Sequence, residues 1–229
     1  MNAPIDIERA RFNMIEQQIR PWDVLDLDVL DLLKVVRRED FVPAAHRALA
    51  FVDMEIPLLG TAEEALVTGQ CMLAPKVEAR LLQDLAPKAH EKVLEVGAGS
   101  GYMAALLAQQ AGRVVTLEIN PELAAMARAN LQKAGIANVE VRQADGARGL
   151  PGEGPFDVIL LSGSVAEVPR ALLDQLKVGG RLAAIVGGEP IMRATFITRT
   201  GDATFETRQP WDTLAPRLAH FPEPSRFHF

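Results

Sequence analysis

The chain has 229 residues, 48% hydrophobic and 24% charged, proportions of a folded domain with a sizeable core. Its net charge of −6 argues against a nucleic-acid partner, since phosphate binding needs clustered Lys and Arg, and the Arg37–Arg38 pair is followed at once by Glu39 and Asp40. The single cysteine, Cys71, excludes an intrachain disulfide and a cysteine metal cage, and His46, His90, His220 and His228 show no ligand spacing, so no metal site is expected.

Nothing in MNAPIDIERAR resembles a signal peptide and no apolar run approaches ~18 residues, so a cytoplasmic chain with no membrane partner is expected. Phe12, Ile15 and Ile19 fall at i, i+3 and i+7, the stripe of a helix that ends before Pro21. Asp26 or Asp28 can cap a second helix, in which Val29, Leu32, Leu33 and Val36 recur at helical spacing. Residues 41–74 read as irregular, punctuated by Pro43, Pro57 and Gly60. Pro75 opens a helix whose Val77, Leu81, Leu82 and Leu85 face a core. Residues 1–90 thus read as a helical cap on the core formed by 91–229, all within one domain.

From Lys92 strands and helices alternate. Val93, Leu94 and Val96 form a buried strand over 92–96; Gly97, Gly99 and Gly101 then turn the chain into a helix over 101–111. Strand, glycine turn and helix together let a ligand approach backbone N–H groups that a Cβ would screen. A second strand, 113–118, ends in Glu118. Asn120 followed by Pro121 caps a helix that runs to Lys133 and closes at Gly135. Val139 and Val141 mark a third strand ending near Asp145–Gly146, and Phe156 to Leu161 a fourth. A short helix from Pro169 to Leu176 leads through a Gly179–Gly180 turn to a fifth strand, Arg181 to Val186. Residues 194–200 and 204–208 alternate around Gly201–Asp202 as an antiparallel hairpin. The fold class is therefore α/β: a doubly wound, mostly parallel sheet that ends antiparallel.

The glycines read G-x-G-x-G, with Tyr102 where a third dinucleotide glycine would stand. Glu95, Glu118 and Asp145 sit at the ends of three successive strands. Glu95 can lie near a cationic centre, Glu118 can accept from two ribose hydroxyls, and Asp145 can accept from an adenine amino group. A pyrophosphate would be repelled by that much negative charge. The expected ligand is S-adenosylmethionine, a sulfonium cation, in preference to a dinucleotide.

EVGAGSGYMAALLA, the run FDVILLSGSVAEVPRALLDQLKVGGRL and the preceding REDFVP resemble the protein-L-isoaspartate O-methyltransferases, class I S-adenosylmethionine-dependent enzymes. The resemblance covers most of the chain from about Arg11 to the fifth strand. It implies a Rossmann-like, seven-stranded sheet whose last strand is antiparallel, and methyl transfer to the carboxylate of isoaspartyl residues in damaged protein. It implies a donor-binding set of Glu95, Gly97, Ala98, Gly99, Ser100, Gly101, Glu118, Ile119, Asp145 and Gly146. The chain departs from the family where the acceptor is expected. The family's G-Q-T-I-S-Q-P loop reads Gly69-Gln70-Cys71-Met72-Leu73-Ala74-Pro75, so Leu73 takes the serine position, and about seven residues within Gly60 to Thr68 are inserted before it. The family's V-P-L matches only at Pro216, within Leu214-Ala215-Pro216-Arg217-Leu218. Ser162 or Ser164 is the candidate replacement for the missing hydroxyl. Three readings follow: isoaspartyl methylation with a rebuilt site, methylation of another acceptor such as a small molecule, and a non-catalytic S-adenosylmethionine-binding scaffold. A strand-four end of Ser162-Gly163-Ser164 disfavours adenine-N6 methylation, and the lack of an acid before Glu167 disfavours a metal-dependent catechol-type enzyme.

Overall fold

The computed structural model describes residues 6–223; His228 lies outside them. The chain begins with α1 (Ile7–Met14), capped by the Asp6 side chain on the Arg9 N–H, and continues through a π-helical turn to Ile19. α2 (Leu27–Val35) is capped by Asp26, whose Oδ1 accepts from the Asp28 and Val29 N–H groups. The stripe on α1 differs from the sequence expectation. Ile15 and Ile19 are fully buried, but Phe12 is 57% exposed and Arg11 takes the inward position with Met14. Arg11 is tolerated there because its guanidinium pairs with the buried Glu39 carboxylate, 28 positions away in the chain.

Residues 41–74 are more ordered than their punctuation suggests. A 3-10 segment spans Ala44–Phe51, and β1 (Ile56–Pro57) pairs antiparallel with β2 (Cys71–Met72). Between those strands the inserted residues form α3 (Ala62–Thr68), with a capping box between Thr61 and Glu64 and Gly69 at φ 75 closing it. α4 (Pro75–Leu85) follows, with Val77, Leu81, Leu82 and Leu85 buried as expected.

The sheet comprises β3 (Lys92–Val96), β4 (Arg113–Glu118), β5 (Val139–Gln143), β6 (Phe156–Val165), β7 (Leu176–Gly188), β8 (Ile191–Arg199) and β9 (Phe205–Thr213). α5 (Tyr102–Gln110), α6 (Pro121–Lys133) and the short α7 (Arg170–Leu173) connect its parallel part. The spatial order is β5-β4-β3-β6-β7-β8-β9, parallel from β5 through β7, with antiparallel pairings β7–β8 and β8–β9 at the far edge. Gly179–Gly180 is not a separate turn: both lie within β7, whose pairing with β6 slips between Phe156 and Val158. A Cβ on Gly180 would stand 3.0 Å from the Phe156 and Asp157 carbonyls, so glycine permits that close crossing.

Adjacent strand residues serve opposite faces. Val93 packs with α1, α2, α4 and α5 residues such as Met14, Leu33, Leu82 and Leu106, whereas Leu94 packs with Leu117, Ile159 and Leu172 on the other face. The cap therefore shares a core with the sheet. β3 has β4 on one side and β6 on the other, so the chain order reverses there and a crevice opens beyond the strands' carboxyl ends.

Candidate functional site

The crevice has a floor of glycine loop and a wall of strand-end acids. Gly97 (φ 94) and Gly99 (φ 51) take left-handed conformations that other residues rarely adopt. A Cβ on Gly97 would approach Leu218 Cδ2 to 2.9 Å, and one on Gly146 would overlap Val96 Cγ1 at 2.3 Å. Gly101 (φ 85) serves packing: a Cβ there would stand 3.2 Å from the Ala127 backbone on α6.

Glu118 is held by both neighbouring segments. Its Oε2 accepts from the Gly99 N–H at 2.8 Å and its Oε1 from the Asn120 N–H at 2.9 Å. A carboxylate offers about four lone-pair positions, so two remain for a ligand in the crevice that Glu118 lines. Ile119, Asp145 and Gly146 line it as well. Asp145 Oδ1 accepts from the Ala147 N–H and Oδ2 meets His220 Nδ1 at 2.8 Å. The Ala147 amide, followed by His220, holds the Asp145 carboxyl below the usual range against partial burial.

Glu95 departs from the expectation. It is completely buried beneath the loop, with Oε2 accepting from the Thr116 hydroxyl and Oε1 from the Ser162 hydroxyl, each at 2.7 Å. Burial pushes its pKa up to about 7; the two hydroxyl donors oppose that shift and the Glu118 charge adds to it. Glu118 and Asp145 thus meet in one crevice, while Glu95 supports it from below. Ala98 and Ser100 lie behind the loop, on a small cavity shared with Leu73, Glu78 and Tyr102. Its volume of about 20 Å³ suffices for one water.

Neither candidate for a replacement hydroxyl offers a free proton to the crevice. Ser162 lines the crevice but donates its proton to Glu95, so it faces a ligand as a hydrogen-bond acceptor. Ser164 is fully buried and lies away from the crevice lining, because the C-terminal segment covers it: the Ser164 N–H donates to Pro216 O and the Leu218 N–H to Ser164 O. Leu73 is 5% exposed and is core, its carbonyl accepting from Arg38 Nη2 at 2.6 Å. Arg38 is completely buried, ion-paired with Glu78 and stacked 5.3 Å from the Tyr102 ring centroid. Burial pushes the Glu78 carboxyl up, against the Arg38 charge.

Several crevice residues were not anticipated. α3 ends at Gly69 and delivers Gln70 and Cys71 to one lip; burial pushes the Cys71 thiol up to about 12, so it stays protonated. Arg217, Leu218 and Phe221 join that lip from the segment that returns over the end of β6, Arg217 packing against Gly69. The usable signals are the G-Q-T-I-S-Q-P match for Gln70 and Cys71 and the partial V-P-L match at Pro216 for Arg217 and Leu218. Among the described residues no group of three His, Cys, Asp or Glu could hold a metal ion, and no helix is long and apolar enough to cross a membrane.

A model of the family described as Protein-L-isoaspartate(D-aspartate) O-methyltransferase (PCMT) matches residues 9–214. Protein-L-isoaspartate O-methyltransferase 1 of Syntrophobacter fumaroxidans is 41% identical over 183 residues, 80% of this chain and 82% of the relative. The Methanoculleus marisnigri protein-L-isoaspartate O-methyltransferase is 40% identical over 179 residues, 78% of each chain. Among solved structures, one described as a protein-L-isoaspartate O-methyltransferase of Plasmodium falciparum, in complex with S-adenosyl-L-homocysteine, superposes with a TM-score of 0.74 at 18% identity. That match covers 94% of this chain and 99% of the other, and at such identity it speaks to the fold alone.

Proposed function

The chain belongs to the protein-L-isoaspartate (D-aspartate) O-methyltransferase family, and we propose that it transfers the methyl group of S-adenosylmethionine to the free carboxylate of isoaspartyl residues in protein. The observation that carries the reading is that Glu118 and Asp145 line one crevice with Gly97 and Gly146, where a Cβ would collide with Leu218 and Val96. Two carboxylates suit a cationic adenosine derivative and disfavour a pyrophosphate. We assign Glu118 to the ribose hydroxyls, Asp145 to the adenine edge, and Gly97 and Gly99 to the backbone floor.

When bound, S-adenosylmethionine supplies an electrophilic methyl carbon: an O–C bond forms, an S–C bond breaks and the electron pair returns to sulfur. A carboxylate acceptor, with a reference pKa near ~4, is already ionised at neutral pH and needs no base. The protein's work is positioning and exclusion of water, which in well-oriented reactions amounts to roughly 7–11 kcal/mol of the barrier. Gly97 and Gly99 shape the floor, Leu218 and Phe221 close one side, and Glu95 fixes the Ser162 hydroxyl at the base of the crevice.

The test is incubation with S-adenosylmethionine labelled in its methyl group and an isoaspartyl peptide. A base-labile methyl ester on the peptide is expected; labelling no greater than on the aspartyl isomer would contradict the assignment. The buried Leu73 at the family's serine position favours a second reading, methylation of a different carboxylate, for which a lysate would be labelled and the isoaspartyl peptide would not.

A further inference from the structure

A carboxylate entering this crevice meets two acids on its wall and a third beneath its floor, so beyond the donor's sulfonium it calls for N–H or O–H donors from the chain. The hydroxyl groups offer it no free proton: Ser162 gives its proton to Glu95, Thr68 gives its proton to the Glu64 carbonyl, and Ser164 is covered. Among the described residues that line the crevice, Arg217 is the only cation. It also lines the adjoining groove between α3 and the β7–β8 turn, whose walls include Leu66, Val67, Gly187 and Met192. The Arg217 carbonyl lies against Gly69 at the crevice, and its guanidinium reaches Gly187 and Glu223 in the adjoining groove, so the residue spans the two.

We propose that the Arg217 guanidinium binds the acceptor carboxylate at this junction, in place of the hydroxyl lost at Leu73. The proposal rests on the methyltransferase reading above. Its backbone is fixed: Arg217 bridges Ser164 at the end of β6, and Gly69 packs so closely that a Cβ there would stand 2.7 Å from Arg217 O. Its side chain is one-third exposed, with Nη1 donating to the Gly187 carbonyl at 3.0 Å. A guanidinium carries five N–H donors in a fork that matches a carboxylate, and that bond engages one of them.

The side chain already holds a carboxylate of this chain. Glu223 Oε1 lies 2.9 Å from Arg217 Nε, and the Glu223 side chain is 55% exposed. Exposed pairs of this kind are weak, so an acceptor carboxylate can displace Glu223 at little cost. Where the family's V-P-L places leucine after proline, this chain has Arg217 after Pro216. The serine-to-Leu73 and leucine-to-Arg217 changes thus move the polar contact onto the segment that follows β9. The exposed Leu66 and Val67 of the inserted α3 flank the channel through which a peptide would reach Arg217.

The test is calorimetric titration of an isoaspartyl peptide into the full chain saturated with S-adenosylhomocysteine. Replacing Arg217 with leucine should weaken peptide binding about tenfold to a hundredfold, R217K should lose less, and E223Q should tighten binding about twofold or more. The wild-type affinity should fall with added salt, and that of R217L should not. Should R217L fail to fold, E223Q decides: tighter binding supports the assignment, and unchanged or weaker binding overturns it. Peptide affinity indifferent to residue 217, or no peptide binding by the wild type, also overturns it. Failure of the wild type to bind S-adenosylhomocysteine, by contrast, would be failure of the methyltransferase reading itself.

Discussion

Replacing Glu95 with glutamine should change how stability depends on pH, by an amount the structure sets. Burial raises the folded pKa of Glu95 from 4.5 to about 7. Between those values the folded chain keeps a proton that the unfolded chain has released. The Glu95 contribution is therefore fully present below pH 4.5 and is lost as pH rises through 7. Glutamine cannot ionise, and the Ser162 and Thr116 hydroxyls can rotate to pair with its amide. From pH 5 to pH 8, E95Q should gain about 2–3 kcal/mol of stability relative to the wild type, an order-of-magnitude figure from a shift worth roughly 1.4 kcal/mol per pKa unit. Urea unfolding followed by circular dichroism across that range measures it. Parallel stability curves would refute the claim that burial, opposed by two hydroxyl donors, governs the ionisation of Glu95.

Two further substitutions probe the site and its support. Glu118→Gln turns one oxygen towards an N–H as an amide NH₂, losing a charge-assisted bond to Gly99 or Asn120. S-adenosylhomocysteine affinity should then fall about tenfold or more by calorimetry, and unchanged affinity would remove Glu118 from the donor site. Glu78→Ala leaves the Arg38 guanidinium buried and unpaired, which should cost about 3–5 kcal/mol in urea unfolding; a loss below ~1 kcal/mol would mean that Arg38 finds another partner.

Local chemistry made much of the fold readable. Asn120 accepts from the Glu122 and Leu123 N–H groups with Pro121 at the first helical position, as their order predicts, and Asp26 caps α2 in the same manner. The β3–glycine loop–α5 unit is equally local. The misreadings arise where a distant partner decides. Phe12 turns outward because Arg11, neutralised by Glu39, takes the inward position on α1. β7 runs through Gly179–Gly180 because β6 lies against it, and no window of sequence contains that contact. α3 was readable from Thr61, Glu64 and Gly69, a capping box followed by a closing glycine, but the surrounding prolines obscured it.

The site divides in the same way. Glu118, Asp145 and the glycines follow from strand ends and so were visible in the chain. Glu95 was placed at the right strand but one layer too shallow, because its depth depends on the Thr116 and Ser162 hydroxyls of β4 and β6 that receive it. Arg217 enters only because the segment after β9 returns over β6, a contact made across the finished sheet.

Glu118 and Asp145 at the carboxyl ends of the strands suit the crevice to a positively charged adenosine compound. Calorimetry of the purified chain with S-adenosylmethionine, S-adenosylhomocysteine and NAD tests it directly. Saturable one-to-one binding of both adenosyl compounds and none of the dinucleotide is expected, whereas tighter binding of NAD, or no binding of either adenosyl compound, would contradict that assignment.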